Sequence, residues 1–533
     1  MIHIYRLLFI LLVFSPLLIS AQPYIHAQFV YGESGQDEEF QDLVELSDGS
    51  YMVAGSVTIN ALHYDYWLGK VSSNHELQWS VNLGGSDDEI IHSITATTDD
   101  AVIVVGTSKS DDGDVGNSLG DTDGWVVKID NSGSIIWHLV LGGSLEDQLN
   151  DIVRLQDDTY LISGYTYSND GDIVNNKGYT DLWVVKITND GTVLWSNTYG
   201  GTGFDRGRAI TLHPNEAQVA LVGSTTSGNG DISGTVWGSS DYWTLLLDTD
   251  GNIIWEASYG GSLKDGALAA TFTFDGDIIV LGDILSIDGD VGINYGEDDQ
   301  WLIKLDGDNG NLLWDLSLGY SGGDQSKSVI TSSNGDIIVV GATFDASLTP
   351  PNYLFDIRIA SINPDNGFVN WLDLFGGSNY DFGNAIIQNQ AGHFIVAGYS
   401  DSTDGDVGSG GGKTEPLLIG SPSTLHGYDD AWFFELRYNT PGINSVNTNQ
   451  TIRLVPNPCN GHFNMQFPID QTGETAQVTI YNQLAQIVQQ KSLVIGVQAL
   501  SYKLDLSKEK QGIFWVQTCI SGNCTTQKII NTP

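Results

Sequence analysis

Cysteine is missing from the first 458 residues; the three in the chain, Cys459, Cys519 and Cys524, all fall near its end. The long first part of the chain therefore has neither disulfides nor a thiol nucleophile to explain it. Basic residues are scarce as well, with 21 Lys and Arg against 66 Asp and Glu and a net charge of -45. That balance argues against nucleic acid and anionic membranes as partners, since both would be repelled, and leaves cations, basic groups and neutral sugars. Beyond residue 21 no apolar run approaches the roughly 18 residues of a membrane helix, so no transmembrane segment is expected in the mature protein. No His-Glu-x-x-His pair occurs. The scattered His63, His92, His213, Arg206, Arg208 and Arg358 form no spaced pair with a recognisable role. With acids this abundant, spacing alone leaves a hydrolytic carboxylate pair open.

What is present is one unit repeated seven times between Asp37 and Asp430, with a period of about 58 residues. The third copy reads Gly142-Gly143-Ser144, an acid at Asp147, an apolar run closing on Gly164, Asp181-Leu182-Trp183-Val184-Val185-Lys186 and then Trp195. The first acid recurs as Asp37, Glu89, Asp147, Asp205, Asp265, Asp324 and Asp381, and the second as Asp65, Asp123, Asp181, Asp241, Asp299, Asp356 and Asp430. Two residues after the second acid stands a Trp in every copy but the sixth, which has Arg358.

Within each copy, short β-branched and aromatic runs such as Ala101 to Gly106, Trp125 to Ile129 and Ile135 to Leu141 alternate with Asp-Gly, Asn-Gly and Gly-Gly turns. This is the punctuation of four short antiparallel strands. Four strands repeated seven times predict an all-β, seven-bladed β-propeller over residues 22–440. The last copy lacks a fourth strand after Phe433 to Tyr438, whereas Ala27 to Gly32 is an orphan strand ahead of the first copy. The N-terminal strand is therefore expected to close the ring. The Trp residues are expected to pack between blades, and the first acids to serve blade geometry, because a residue present in every copy answers a need every blade shares.

Five copies carry Asp-Gly-Asp or its Asn-Gly-Asp equivalent between the second and third strands. Asp112, Asp114, Asp170, Asp172, Asp288, Asp290, Asp404 and Asp406 are the candidate metal ligands, for Ca²⁺, since paired carboxylates with a third acid nearby supply hard oxygens. The competing reading, on which the balance falls, is that these side chains cap turns by accepting backbone N–H groups. No catalytic residue and no other cofactor is assigned. Symmetry breaks in three consecutive blades. Blade seven has extra loop residues from Gly408 to Gly427, blade one has Asn60-Ala61-Leu62-His63-Tyr64, and blade six has Leu348 to Tyr353. Their clustering on one rim points to a binding face, with drift in tolerant loops as the alternative.

Arg6, the apolar stretch Leu7 to Ile19 and the small pair Ser20-Ala21 have the layout of a secretory signal peptide over residues 1–21. Residues 441–450 are polar and form a linker. Cys519 and Cys524 flank Ile520 to Asn523 at the right distance for a bridge across a hairpin, leaving Cys459 unpaired.

Leu454-Val455-Pro456-Asn457-Pro458, Asn460-Gly461-His462-Phe463, Val478 to Asn482, Leu504 to Ser507, Gln511 to Val516 and Lys528-Ile529-Ile530 follow in order. Residues 451–533 thereby resemble the C-terminal sorting domain of type IX secretion cargo in the Bacteroidetes, a small β-sandwich. Cys459 and the ending Asn531-Thr532-Pro533 depart from that pattern. The resemblance implies recognition by the type IX machinery and a secreted or outer-membrane surface-anchored product. The repeats resemble secreted bacterial propeller arrays of unassigned function. Together these lead to a binding or adhesion protein whose ligand is a carbohydrate or protein, more in keeping with a non-enzyme. The alternative is an extracellular polysaccharide-degrading lyase or glycoside hydrolase on the same ring.

Overall fold

The computed structural model describes residues 23–438, apart from 33–35, 60–61, 345–353, 403, 408–416 and 419–428, and separately a set of strands within 453–531. The expected signal segment 1–21 and the expected linker 441–450 lie outside the described residues. Every described element is a β-strand. Chain contacts divide the molecule into one unit ending at Asn439 and another beginning at Thr440.

The first unit is a seven-bladed propeller. Blade three shows the pattern, with strands Asp147–Arg154, Thr159–Thr166, Asp181–Thr188 and Val193–Tyr199 forming one antiparallel sheet in that order. The first acid opens the first strand and the second acid opens the third. First strands pack on one another all the way round, including Asp381–Gln388 against Glu38–Glu45, so they form the inner wall of the ring. Second and third strands, pressed between neighbouring blades, are buried along their whole length, whereas the outer fourth strands alternate toward solvent.

Closure follows the expectation, with a longer strand than the sequence suggested. Pro23–Tyr31 pairs antiparallel with Asp430–Tyr438 and supplies the missing fourth strand of blade seven. Gln28, with no exposed surface, accepts the Trp432 indole N–H at 2.8 Å and donates to the Asp406 carbonyl at 2.9 Å. Leu417–Leu418, the described part of the long blade-seven loop, adds to this strand in parallel as a fifth member of the sheet.

The third-strand Trp residues fill the seams between blades. Trp125 shares a cluster with Tyr66 and Leu68 of blade one, and Trp183 with Ile103 and Val105 of blade two. The fourth-strand Trp residues reach the other way. Trp79, Trp137 and Trp255 donate to the carbonyls of Asn131, Asn189 and Gly307 in the next blade. Trp183→Ala should cost about 3 kcal/mol, as for other large core truncations. The urea midpoint is expected to fall with an unchanged slope, and a loss below about 1 kcal/mol would show that the seam does not depend on the ring.

The second unit has two antiparallel sheets, as expected of a small sandwich. Arg453–Val455, His462–Gln466 and Ser501–Asp505 form one. Ile487–Val494, Thr475–Tyr481, Gly512–Ile520 and Asn523–Asn531 form the other. Positions 519 and 524 are directly opposite in the last hairpin, the register the expected bridge requires.

Candidate functional site

The repeated acids are built into the scaffold. Asp147 is fully buried and takes hydrogen bonds from the Gly143 N–H at 2.6 Å, the Ser168 hydroxyl at 2.8 Å and the Thr166 hydroxyl. Asp205 repeats this with Gly201, Ser227 and Thr225, and Asp381 with Gly377, Ser402 and Ser400. One member of the series needs correcting. Glu38, not Asp37, opens the first strand of blade one, pairing with Val57 as Asp147 pairs with Thr166 and lying equally deep. Asp37 instead donates its N–H to Thr58 at the strand's edge.

The Asp-Gly-Asp carboxylates point at the Gly-Gly turn of their own blade. Asp112, Asp170, Asp288 and Asp404 accept the N–H groups of Ser86, Ser144, Ser262 and Ser378 at 2.7 to 2.8 Å. Asp114, Asp172, Asp290 and Asp406 accept those of Gly84, Gly142, Gly260 and Gly376 at 3.1 to 3.4 Å. The central Gly171 has φ +64°, and a Cβ there would stand 2.3 Å from the Gly142 carbonyl, so no other residue fits. Among the described residues no group of three or more His, Cys, Asp or Glu converges as a metal ion requires.

The second acids have a less settled environment. Asp181 accepts the Lys177 N–H on one oxygen, while its Oδ1, like Oδ1 of Asp123 and Asp241, is buried without a hydrogen-bond partner. Each faces the first acid of the next blade across a glycine. A Cβ on Gly142 would meet Asp123 Oδ1 at 2.5 Å and Asp147 Oδ2 at 2.8 Å. Burial first, then the neighbouring carboxylates, raises Asp241 to about 6 and Asp356 to about 7; for Asp181, also about 6, Lys177 intervenes in the other direction. In the sixth blade Arg358 brings its own cation to such a pair. Its Nη1 lies 3.1 Å from Asp324 Oδ1 and both side chains are buried.

The altered loops of blades six and seven, 345–353 and nearly all of 408–428, lie outside the described residues, so their expected clustering with blade one is not described. Of the blade-one segment, Asn60 and Ala61 also lie outside the described residues; Leu62 donates its N–H to the Ile59 carbonyl at 3.0 Å and His63 opens the strand His63–Val71.

The inner wall holds a set of side chains that sequence reasoning left unassigned. The fourth residue of each first strand is Gln41, His92, Asn150, Arg208, Leu268, Lys327 and Asn384, and here the repeat has no consensus. Asn150 and Asn384 bond to the Gly207 and Phe40 carbonyls of the following blade. His92, Arg208 and Lys327 make no hydrogen bond or ion pair among the described residues. Burial, then the charge of Arg208, lowers His92 to about 4; burial also lowers Lys327, against the opposing pull of Asp283 and Glu39. Groups from non-adjacent blades thus sense one another across the axis.

Deeper in the ring, Asp42 and Asp151 share the Ser93 hydroxyl at 2.9 Å each and accept the N–H groups of Ile94 and Ile210 from the following blades. Asp42 Oδ1 also accepts the Leu43 N–H, and Asp151 Oδ1 also accepts the Ile152 N–H. All four oxygens are occupied by the fold, so this pair laces blades together and is not free for a substrate.

Between blades four and five the wall opens into a cavity of about 200 Å³ lined by Arg206, Arg208, Ser224, Ser240, Lys264 and Asp283 among others. It exists because Gly266 stands at a position filled elsewhere by Glu39, Ile90, Gln148, Arg206, Gln325 and Phe382. A Cβ on Gly266 would meet only the Ser224 Cβ, at 3.8 Å. Arg206 donates to the Tyr167 hydroxyl at 2.8 Å and lies 5.0 Å over the Tyr165 ring.

Residues 453–532 match the secretion system C-terminal sorting domain. An uncharacterized WD repeat-containing protein of Acanthamoeba polyphaga mimivirus is 23% identical over 467 residues, covering 71% of this chain. The chain spans only about a third (32%) of that relative's length. Among solved structures, the Neurospora crassa Pan2 WD40 domain is similar at TM-score 0.40 and 10% identity, over 79% of this chain and 96% of that one. A protein of unknown function from Dyadobacter fermentans reaches TM-score 0.38 at 11% identity, over 78% and 99%. At these scores neither bears on ligand or activity. The chain is a seven-bladed propeller followed by a type IX secretion sorting domain, which implies export and secretion or attachment at the cell surface.

Proposed function

We propose that the propeller is a binding or adhesion module that engages a carbohydrate or protein outside the cell, and that the type IX machinery delivers it there through residues 451–533. The observation that carries this reading is the blade-four and blade-five cavity. It is a polar recess of about 200 Å³, on the scale of a single sugar ring, lined by side chains that the repeat itself does not require. Residues outside a repeat consensus are released from the common structural need and are where a repeat protein carries function. Stable anchoring at the outer-membrane surface, and cleavage of a signal segment near Ala21, belong to the same proposal. Calcium at the Asp-Gly-Asp loops would add rigidity to the face around the cavity.

The test uses the purified full chain with a panel of immobilised polysaccharides, in calcium and in chelator, recording retention and newly formed chain ends together. Retention without new ends is the expected result, and its loss in chelator would make the Asp-Gly-Asp loops metal sites. New chain ends would replace this reading with a degrading enzyme. In the producing cell, deletion of residues 451–533 should leave the propeller behind the outer membrane, and normal export without them would remove the sorting role.

A further inference from the structure

We infer that the cavity beside Gly266 recognises an acidic sugar, with the carboxylate of a hexuronate residue seated on Arg206 and Arg208. This rests on the binding reading above and names its ligand class.

The argument begins with scarcity. The chain has 66 acids for 21 Lys and Arg, so a cation can find a carboxylate almost anywhere on it. Lys70, Lys128 and Lys304 do so, meeting Asp48, Asp99 and Asp277 at 2.9 to 3.2 Å. Arg206, Arg208 and Lys264 do not. All three line one recess, and none forms an ion pair among the described residues. Arg206 Nε is buried without a hydrogen-bond partner, and the Arg208 guanidinium enters no hydrogen bond among the described residues. A buried donor left unmet is costly to the fold. The ring of Tyr165, 5.9 Å from the Arg208 guanidinium, offsets only part of that.

A bulge between Gly207 and Ala209 interrupts the strand's alternation at Arg208, and both guanidinium groups line the recess, 5.0 and 5.9 Å from the Tyr165 ring. Two guanidinium groups side by side repel each other unless an anion lies between them, and a carboxylate matches their planar donor fork. Phosphate and sulfate would satisfy the charge equally. The rest of the lining selects against them. Asp283 and Asp298 would face a multiply charged anion unfavourably, yet with Ser224 and Ser240 they are suited to accept and donate to sugar hydroxyls. A singly charged, polyhydroxylated ring meets both halves of the recess. The net charge of -45 disfavours loose association with polyanions, so any affinity for such a sugar must come from a specific seat.

The experiment is calorimetric titration of the full chain with three probes: a galacturonic acid trimer, its methyl ester and a galactose trimer. The acid trimer is expected to bind at least tenfold more tightly than the other two. Arg208→Gln should weaken the acid trimer at least tenfold while leaving the galactose trimer unchanged. Gly266→Val should abolish acid-trimer binding at an unchanged melting temperature, which separates loss of the recess from loss of the fold. Acid and neutral trimers binding equally would overturn the inference and leave the binding module standing. Retention on another glycan of the panel with no response to any trimer would do the same. Acid-trimer binding indifferent to both substitutions would place the site elsewhere and also overturn it. Inorganic phosphate displacing the acid trimer while the galactose trimer fails to would reassign the recess to a bare anion.

Discussion

Deletion of Pro23–Tyr31 is expected to abolish cooperative unfolding of the propeller. Blade seven has only three consecutive strands of its own, and its outer partner comes from the other end of the ring sequence. Phe29, 5% exposed, packs against Phe40 of blade one and Phe433 of blade seven, so one side chain bridges the closure. Truncating such a ring costs about 3–5 kcal/mol. Removing Gln28 as well takes away the acceptor of the Trp432 N–H and a donor to the Asp406 carbonyl, at about 1–3 kcal/mol each. The sum approaches the entire stability of an ordinary domain, about 5–15 kcal/mol. The deletion would also expose Asp430–Tyr438 as a long apolar edge open to pairing with other chains. Denaturant unfolding followed by Trp fluorescence and by far-ultraviolet circular dichroism should give one coincident transition for the intact chain. For the deletion it should give separated, broadened transitions at lower denaturant. A single transition at an unchanged midpoint would show that the ring closes by other contacts. Gln28→Ala is the milder form, expected to lower stability by about 2 kcal/mol without loss of cooperativity.

The blade count, the closing strand and the seam positions of Trp125 and Trp183 were legible because repetition supplies its own alignment: seven copies show which positions the architecture demands. The same device explains the single slip of register. Asp37, Glu38 and Glu39 are consecutive acids, and only the ladder partner Val57 distinguishes which one opens the strand. The recess was harder to see because its signal is the absence of a pattern. Arg206 and Arg208 occupy columns in which no two neighbouring blades agree, and they looked like isolated cations until the register placed them on one wall. Gly266 is subtler still. Among 63 glycines, most of those described serving turns or close backbone approaches, nothing local marks one that merely leaves space. Which carboxylates would share a burial site was also not readable, since Asp123 and Asp147 belong to different blades.

Those shared burial sites are expected to make the propeller most stable in mild acid and weaker toward neutrality. Burial, with neighbouring acids adding to it, raises Asp65, Asp299 and Asp381 to about 6, alongside Asp181 and Asp241, and Asp356 to about 7. A carboxyl whose folded pKa lies above its unfolded value near 4 favours the fold while protonated. Its contribution is complete below pH 4 and is lost as the pH rises through 6 to 7. A second set opposes this. Burial alone would raise Glu435, but His75 and Arg437 outweigh it and hold the carboxyl near 2, and Lys128 and Thr97 hold Asp99 near 2. Those groups stabilise above pH 4 and lose their effect as pH falls toward 2. The optimum therefore lies between the two sets, near pH 4 to 5. A tenfold change in proton affinity on folding is worth about 1.4 kcal/mol, less where solvent screens the group, and adjacent carboxyls titrate jointly, so the combined loss by pH 8 is on the order of several kcal/mol. In calorimetric scans of the full chain this should appear as a melting temperature roughly 10 °C lower at pH 8 than at pH 4.5. The direction is opposite to that of a protein held together by ionised, well-paired acids, so a melting temperature that rises steadily from pH 4.5 to 8 would refute it. Arg358 supplies the internal control. Its guanidinium already neutralises Asp324 beside Asp299, so Arg358→Met should add one more carboxylate couple that lacks a cation, costing little at pH 4.5 and about 3–5 kcal/mol at pH 8.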